Sequence, residues 1–317
     1  MTPRLWMAVS LALVAVAIAS LALPLSLPDD SELARAILIE LRAPRTILAL
    51  VYGGMLGASG AAIQALFANP LASPDLTGAT SGAALGAVVT AYLGGVTAPL
   101  ALSAGSIAGA LAALSLLLAL AGPRAETASL LLAGLAISAV AGALTILALA
   151  LAPSPFAFYD AFDWLMGSMV DRSLAQAGFA ALPALAAIAF LARRRDALDS
   201  LALGEEVSQS IGHDLRQIRL EVVGLTALGV GACVAICGAI GFIGLVAPIL
   251  ARRASEGHPG RAILPASAIG ALLLVVADLA VRTAPAGRVL PIGVVTALVG
   301  APFFVWLVIR HGWLAER

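Results

Sequence analysis

The stretch "GFIGLVAPILARR", Gly241 to Arg253, is apolar nearly throughout, carries Pro248 near its middle and stops on two arginines. A helix needs about 20 apolar residues to cross about 30 Å of hydrocarbon, so this stretch is too short for an ordinary span. A proline inside a helix also removes a backbone donor and crowds the preceding turn. Irregular backbone at membrane depth is tolerated only where protein or a water-filled cavity surrounds it. The stretch therefore predicts a short crossing helix enclosed by a larger bundle.

The rest of the chain supplies that bundle. Of its residues 61% are hydrophobic and 11% charged, with a mean hydropathy of +1.04, against roughly 25% charged in soluble domains. Apolar stretches recur at 5–24, 46–68, 78–94, 98–121, 127–151, 174–192, 220–240, 262–283 and 290–309. With the opening stretch they predict an all-α integral membrane protein of about ten crossings, one domain over residues 1–317, with both termini on one side. Arginine is roughly twice as frequent on the side that holds Arg4, Arg193, Arg194, Arg195, Arg216, Arg219, Arg252 and Arg253 as on the side of Arg35, Arg42, Arg45, Arg172 and Arg282. That bias puts the termini in the cytoplasm. Two polar excursions remain: 152–173, aromatic and outside, with a short surface helix around Trp164, and 193–219, inside.

Net charge is zero, with 18 basic and 18 acidic residues, so no bulk attraction to nucleic acid is expected. All the basic residues are arginine, and a phosphate-binding P-loop requires its lysine. ATP chemistry must then come from another chain. Cys233 and Cys237 lie one helical turn apart in an apolar stretch and read as packing residues. Asp278, with Arg282 a turn later, is the one deep carboxylate and reads as an i,i+4 ion pair. An ion-coupled secondary transporter of a small organic solute, the alternative reading, would need more such groups. No histidine falls in a span, which disfavours a bare transition metal as cargo.

Two further patterns point to transport. "SGAAIQALFANPL" (59–71) and "CGAIGFIGLVAPI" (237–249) set Gly60 and Pro70, and Gly238 and Pro248, at the same spacing in segments of opposite direction. Paired Gly/Pro-interrupted segments in an inverted repeat mark a translocation path. The second pattern is "LALGEEVSQSIGHDL" (201–215), where Leu201, Leu203, Val207 and Ile211 sit at helical spacings and Gly204 and Gly212 break the run. It predicts two short helices joined at a glycine, displayed for docking to another protein.

Four separated motifs, "LRAPRTILALVYGGMLGASGAAIQALFANPLASPDLTGATSGAALGA" (41–87), "LALGEEVSQSIGHDL", "GFIGLVAPILAR" (241–252) and "ADLAVRTAPAGRVLPIGVVTALVGAPFFVWLV" (277–308), resemble the permease subunits of ABC importers for iron siderophores, haem and cobalamin. The resemblance implies a type II importer permease fold in the bacterial inner membrane. Its implied partners are a second permease subunit, the same or a sister chain, two ATPase subunits that use ATP and magnesium, and a periplasmic binding protein; the chain itself carries no catalytic group, metal or cofactor. Ferric siderophore is the default cargo. The resemblance assigns ATPase coupling to Leu203, Gly204, Glu205, Glu206, Ser208, Ile211, Gly212 and His213, and binding-protein docking to Arg42, Arg45 and Arg282. Gln64, Asn69, Pro70 and Gly78 match the pathway-lining first repeat, Ser138 is assigned to the inner gate, and Pro248 is read as the second-repeat counterpart of "NPLASP", a helix broken at the proline. Ile249 and Val289 stand where the family commonly has histidine and glutamate.

Overall fold

A computed structural model of the chain describes residues 3–23, 30–95, 98–121, 127–152, 154–283 and 290–315. Val289, Arg124, Arg288 and Arg317 lie outside them. The described residues are helical almost throughout: α1 (Pro3–Ala22), α2 (Ser31–Ala36), a π-helical turn Ile37–Arg42 continuous with α3 (Ala43–Leu66), α4 (Ala79–Val88) with its own π-helical end Val89–Leu93, α5 (Pro99–Ala121), α6 (Thr127–Ala150), α7 (Pro155–Leu165), α8 (Leu174–Arg193), α9 (Arg195–Leu201), α10 (Glu205–Ser210), α11 (Leu215–Cys237), α12 (Ile243–Ala254), α13 (Ile263–Arg282) and α14 (Ile292–Ala315). Among the described residues, six helical stretches are long and apolar enough to cross a membrane and four shorter apolar helices, in α1, α4, α12 and α14, complete a set of ten.

The ends of these elements follow local chemistry. Asp214 caps α11, its carboxylate accepting from the N–H groups of Arg216 and Gln217 at 2.9 and 3.3 Å, and Ser173 with Gln176 forms a reciprocal capping box on α8. Proline at the first turn starts α7, where Ser154 accepts from Ala157 N–H.

Helices of this kind cannot be driven together by hydrophobicity in a lipid solvent, so small residues at close crossings do the work. α3 lies against α13 where a Cβ on Gly53 would stand 2.3 Å from the Gly270 carbonyl oxygen and one on Gly57 2.0 Å from that of Ala266. α4 lies against α5 through Gly82 and Gly109, and Gly86 and Gly105. The packing pattern carries the inverted repeat: α3 packs on α13 and α12 as α11 packs on α5 and α4, α4 pairs with α5 as α12 pairs with α13, and α8 touches both α3 and α11. Each helix of the first set thus corresponds to the one five crossings later, which reverses its direction.

This correspondence corrects the register read from the motifs. α12 is the counterpart of α4, so Pro248 inside α12 has no spatial equivalent in Pro70, which lies in the irregular segment between α3 and α4. The segment equivalent to 67–78 is 238–242. Nor is α12 broken at its proline: it runs unbroken through twelve residues, about 18 Å at the usual rise. Pro248 frees the carbonyl of Gly244 one turn back, and α3 approaches it so closely that a Cβ on Gly60 would stand 1.9 Å from that oxygen and 3.0 Å from Pro248 Cγ. The helix breaks upstream, at Gly238 (φ 73°) and Phe242 (φ 66°).

Candidate functional site

The two breaks meet. Asp75, between α3 and α4, accepts a hydrogen bond from Thr80 Oγ1 at 2.8 Å through Oδ1 and from the Phe242 N–H at 3.1 Å through Oδ2. Its backbone carbonyl accepts from Ser138 Oγ of α6 at 3.2 Å. Phe242 is held in the left-handed region, which costs a non-glycine residue about 1–3 kcal/mol and persists only where surroundings over-determine it. Asp75 on one side and Gly300 of α14, where a Cβ would stand 2.3 Å from Phe242 Cβ, on the other supply that constraint. One carboxylate thus ties the start of α4 to the start of α12, with α6 and α14 in contact.

Asp75 escaped the sequence reading, which found a single deep carboxylate. A Pro-Asp pair after a helix reads as a surface turn, and only the re-entry of this segment between spans makes it internal. The expected path residues fall around the junction. Gly78 (φ 84°) starts α4 and Ser138 bonds Asp75. Asn69 is buried and its side chain accepts from Leu71 N–H at 2.9 Å to close the turn, with Pro70 half-buried beside it. Gln64 is 1% exposed and donates weakly to the Leu245 carbonyl of α12 at 3.4 Å. Gln64 and Pro248 therefore belong to the α3–α12 contact, while Gly78 and Ser138 belong to the junction. Asp75→Ala removes an acceptor from Thr80 and from the Phe242 N–H, an expected loss of about 1–3 kcal/mol. Thermal unfolding in detergent should place Asp75→Asn, which keeps one acceptor, between wild type and alanine.

At one end of the bundle α9 and α10 project as a helical pair. Gly204, at φ 99°, makes the link in a conformation side-chain-bearing residues rarely adopt. Ser200 and Ser208 hydroxyls bond at 2.6 Å and are buried, so Ser208 staples the pair from within and is not displayed. Leu203, Val207 and Ile211 are 66%, 43% and 58% exposed, an apolar face with Glu205, Glu206 and Gly212 around it. Glu205 pairs with Arg219 at 2.6 Å. His213 is half-buried, its N–H donating to the Ser208 carbonyl at 3.1 Å. The pair is fastened to the bundle by Asp199, which accepts from Gly260 N–H at 2.7 Å and pairs with Arg261 at 3.5 Å. Asp199 thus joins α9 directly to the turn between α12 and α13.

At the opposite end the three arginines expected to face a delivery protein turn inward. Arg45 Nε donates to Asp278 Oδ1 at 2.6 Å, and Arg282 Nη2 lies 2.6 Å from Asp278 Oδ2, a charge contact without hydrogen-bond alignment. Arg42 donates to the carbonyls of Leu21 and Ala22 at 2.9 and 3.0 Å, and Arg282 to Ser20 at 2.7 Å. Cations at a helix C-terminus are favoured by its dipole, so these arginines cap α1. Asp278 serves two arginines and not only the i,i+4 partner.

The sequence model of the FecCD transport family matches residues 5–310. The Vitamin B12 import system permease protein BtuC of Vibrio cholerae is 38% identical over 292 residues, covering 89% of this chain and 85% of that protein; its namesake from Salmonella typhimurium is 40% identical over 290 residues, covering 89% and 87%. Among solved structures, a protein assigned as a metal-chelate type ABC transporter in an inward-facing conformation aligns with a TM-score of 0.85 and 28% identity over 98% of this chain and all of that one. PsaBC from Streptococcus pneumoniae aligns at 0.59 and 19% identity, covering 92% and 94%, a likeness of fold. The junction of broken helices, the projecting helical pair and a family match spanning nearly the whole chain agree: this multi-pass membrane protein belongs to the FecCD transport family, the permeases of type II ABC importers.

Proposed function

We propose that the chain is one of two permease subunits that pass a bulky metal chelate from a periplasmic binding protein across the bacterial inner membrane, with the termini and α9–α10 on the cytoplasmic side. The observation that carries this reading is the apolar face of Leu203, Val207 and Ile211, exposed on a helical pair that is internally stapled and tied to α12–α13. An ATPase subunit gripping that face would move the α12–α13 turn and, through α12, the Phe242–Asp75 junction. Since the chain has no lysine for a P-loop, nucleotide hydrolysis belongs to that partner. Cobalamin is the first cargo to try because the similar curated permeases carry it by name; ferric siderophores and haem belong to the same class of chelate. Delivery would occur at the end holding α7 and the arginine cluster, where Arg45, with its side chain 17% exposed, is the most accessible of the three arginines.

The test is ATPase activity in proteoliposomes with a cognate ATPase and a periplasmic binding protein, the latter loaded in turn with cobalamin, ferric siderophores and haem. Stimulation by one loaded form identifies the cargo. Val207→Asp with Ile211→Asp should lower stimulated activity by at least about tenfold, since two charges enter an apolar contact, while leaving thermal stability of the isolated permease unchanged. Full association with the ATPase in that double variant would remove the coupling role from α9–α10.

A further inference from the structure

Beside α7 lies a cavity of about 460 Å³ whose lining includes the polar or aromatic residues Tyr92, Asp160, Trp164, Arg172 and Gln176 together with apolar residues of α4, α5 and α11 such as Val88, Ala91, Leu102 and Ile236. Three features bear on its use. Arg172 Nε is buried without a hydrogen-bond partner, a state that costs free energy unless something fills the site. Asp160 shares the cavity but forms no ion pair with Arg172 among the described residues. The surroundings are those of a membrane interface: α7 displays Phe156, Tyr159 and Phe162 at 82%, 64% and 43% exposure, and aromatic rings concentrate where headgroups begin.

We infer that this cavity binds one phospholipid of the zwitterionic phosphatidylethanolamine type. The guanidinium of Arg172 takes the phosphate, whose oxygen accepts a charge-assisted hydrogen bond from its unpartnered Nε–H. The exposed Asp160 carboxylate takes the ammonium, and the first carbons of an acyl chain lie along the apolar wall from α4, α5 and α11. A cation and an anion that line one cavity without pairing to each other match a headgroup that carries both charges. Tyr92 keeps the mouth in place by donating to the Ala157 carbonyl of α7 at 2.5 Å, so α7 and α4 frame the site together. A simple anion would leave Asp160 opposing it, and an apolar guest would leave Arg172 Nε unsatisfied.

Native mass spectrometry of the full chain, released from vesicles of equal phosphatidylethanolamine and phosphatidylglycerol, tests this. The expected result is one retained phosphatidylethanolamine per chain, reduced about tenfold or more in Arg172→Gln and replaced by phosphatidylglycerol preference in Asp160→Asn. Ala91→Trp, which fills the apolar part without altering charge, should also expel the lipid and covers the case in which Arg172→Gln fails to fold. Equal lipid retention by wild type, Arg172→Gln and Ala91→Trp would overturn the inference, as would displacement of the retained lipid by cobalamin or by inorganic phosphate.

Discussion

Adding a single methyl group at Gly57 should unfold this protein more effectively than most deletions. Gly57→Ala puts a Cβ 2.0 Å from the Ala266 carbonyl oxygen and 2.6 Å from its carbon. Both are backbone atoms of a helix, so no rotamer change relieves the overlap and α3 and α13 must separate by more than about 1 Å. The same crossing includes Gly53 with Gly270, and the Arg45–Asp278 contact joins the two helices at its end, so separation at Gly57 loosens all of it. The expected cost is at least about 3 kcal/mol, at the upper end for point substitutions. Gly142 of α6 has open space around it, so Gly142→Ala should stabilise by up to about 1 kcal/mol through helix propensity alone. Thermal midpoints and the yield of monodisperse protein in detergent read both signs; equal midpoints for the two variants would refute the close-crossing account.

Asp278→Ala should be the second severe lesion. Asp278 is fully buried and lies against the side chains of Arg45 and Arg282, which are 17% and 7% exposed. Removing it leaves two buried cations facing each other, and breaking such a group by taking one member away costs about 3–5 kcal/mol. Much of that cost is the uncompensated charge and not the worth of the original contacts. The combined variant Arg45→Met, Asp278→Leu, Arg282→Met should therefore recover most of the midpoint lost by Asp278→Ala. A small deficit would remain, because Arg282 also donates to the Ser20 carbonyl at the end of α1. If the triple variant were less stable than the single one, the charge account would fail and specific hydrogen-bond geometry would be the source of stability.

Both effects rest on atoms that no linear pattern reveals, while much else was legible. The ten apolar stretches correspond to the ten apolar helices within a few residues, because span length and hydropathy answer to the bilayer and not to neighbours. A pair of short helices joined at a glycine was readable over 201–215, and Gly204, with φ 99°, is that link, but the first helix, α9 at Arg195–Leu201, lies almost wholly before the expected stretch. The short crossing announced by "GFIGLVAPILARR" is α12. Where the reading failed, the deciding interaction lay between distant segments. Pro248 was taken as the break because proline is the strongest local signal, yet α12 runs unbroken through it where α3 approaches at Gly60, and the break lies at Gly238 and Phe242. Arg42 and Arg282, assigned to docking by the resemblance, instead donate to the open carbonyls that α1 brings to them.

By itself, then, the sequence determined the medium, the positions of the apolar helices, the absence of a lysine for a P-loop and a pair of short polar helices linked at Gly204, all of which follow from residue type and spacing along one segment. The tertiary structure alone decided which break faces which, that Asp75 and not a proline joins the two halves, that Ser208 faces inward, and that Asp278 balances two arginines. The reason is physical: burial, close helix crossing and charge pairing are properties of two surfaces in contact, and either surface read alone leaves its partner unspecified.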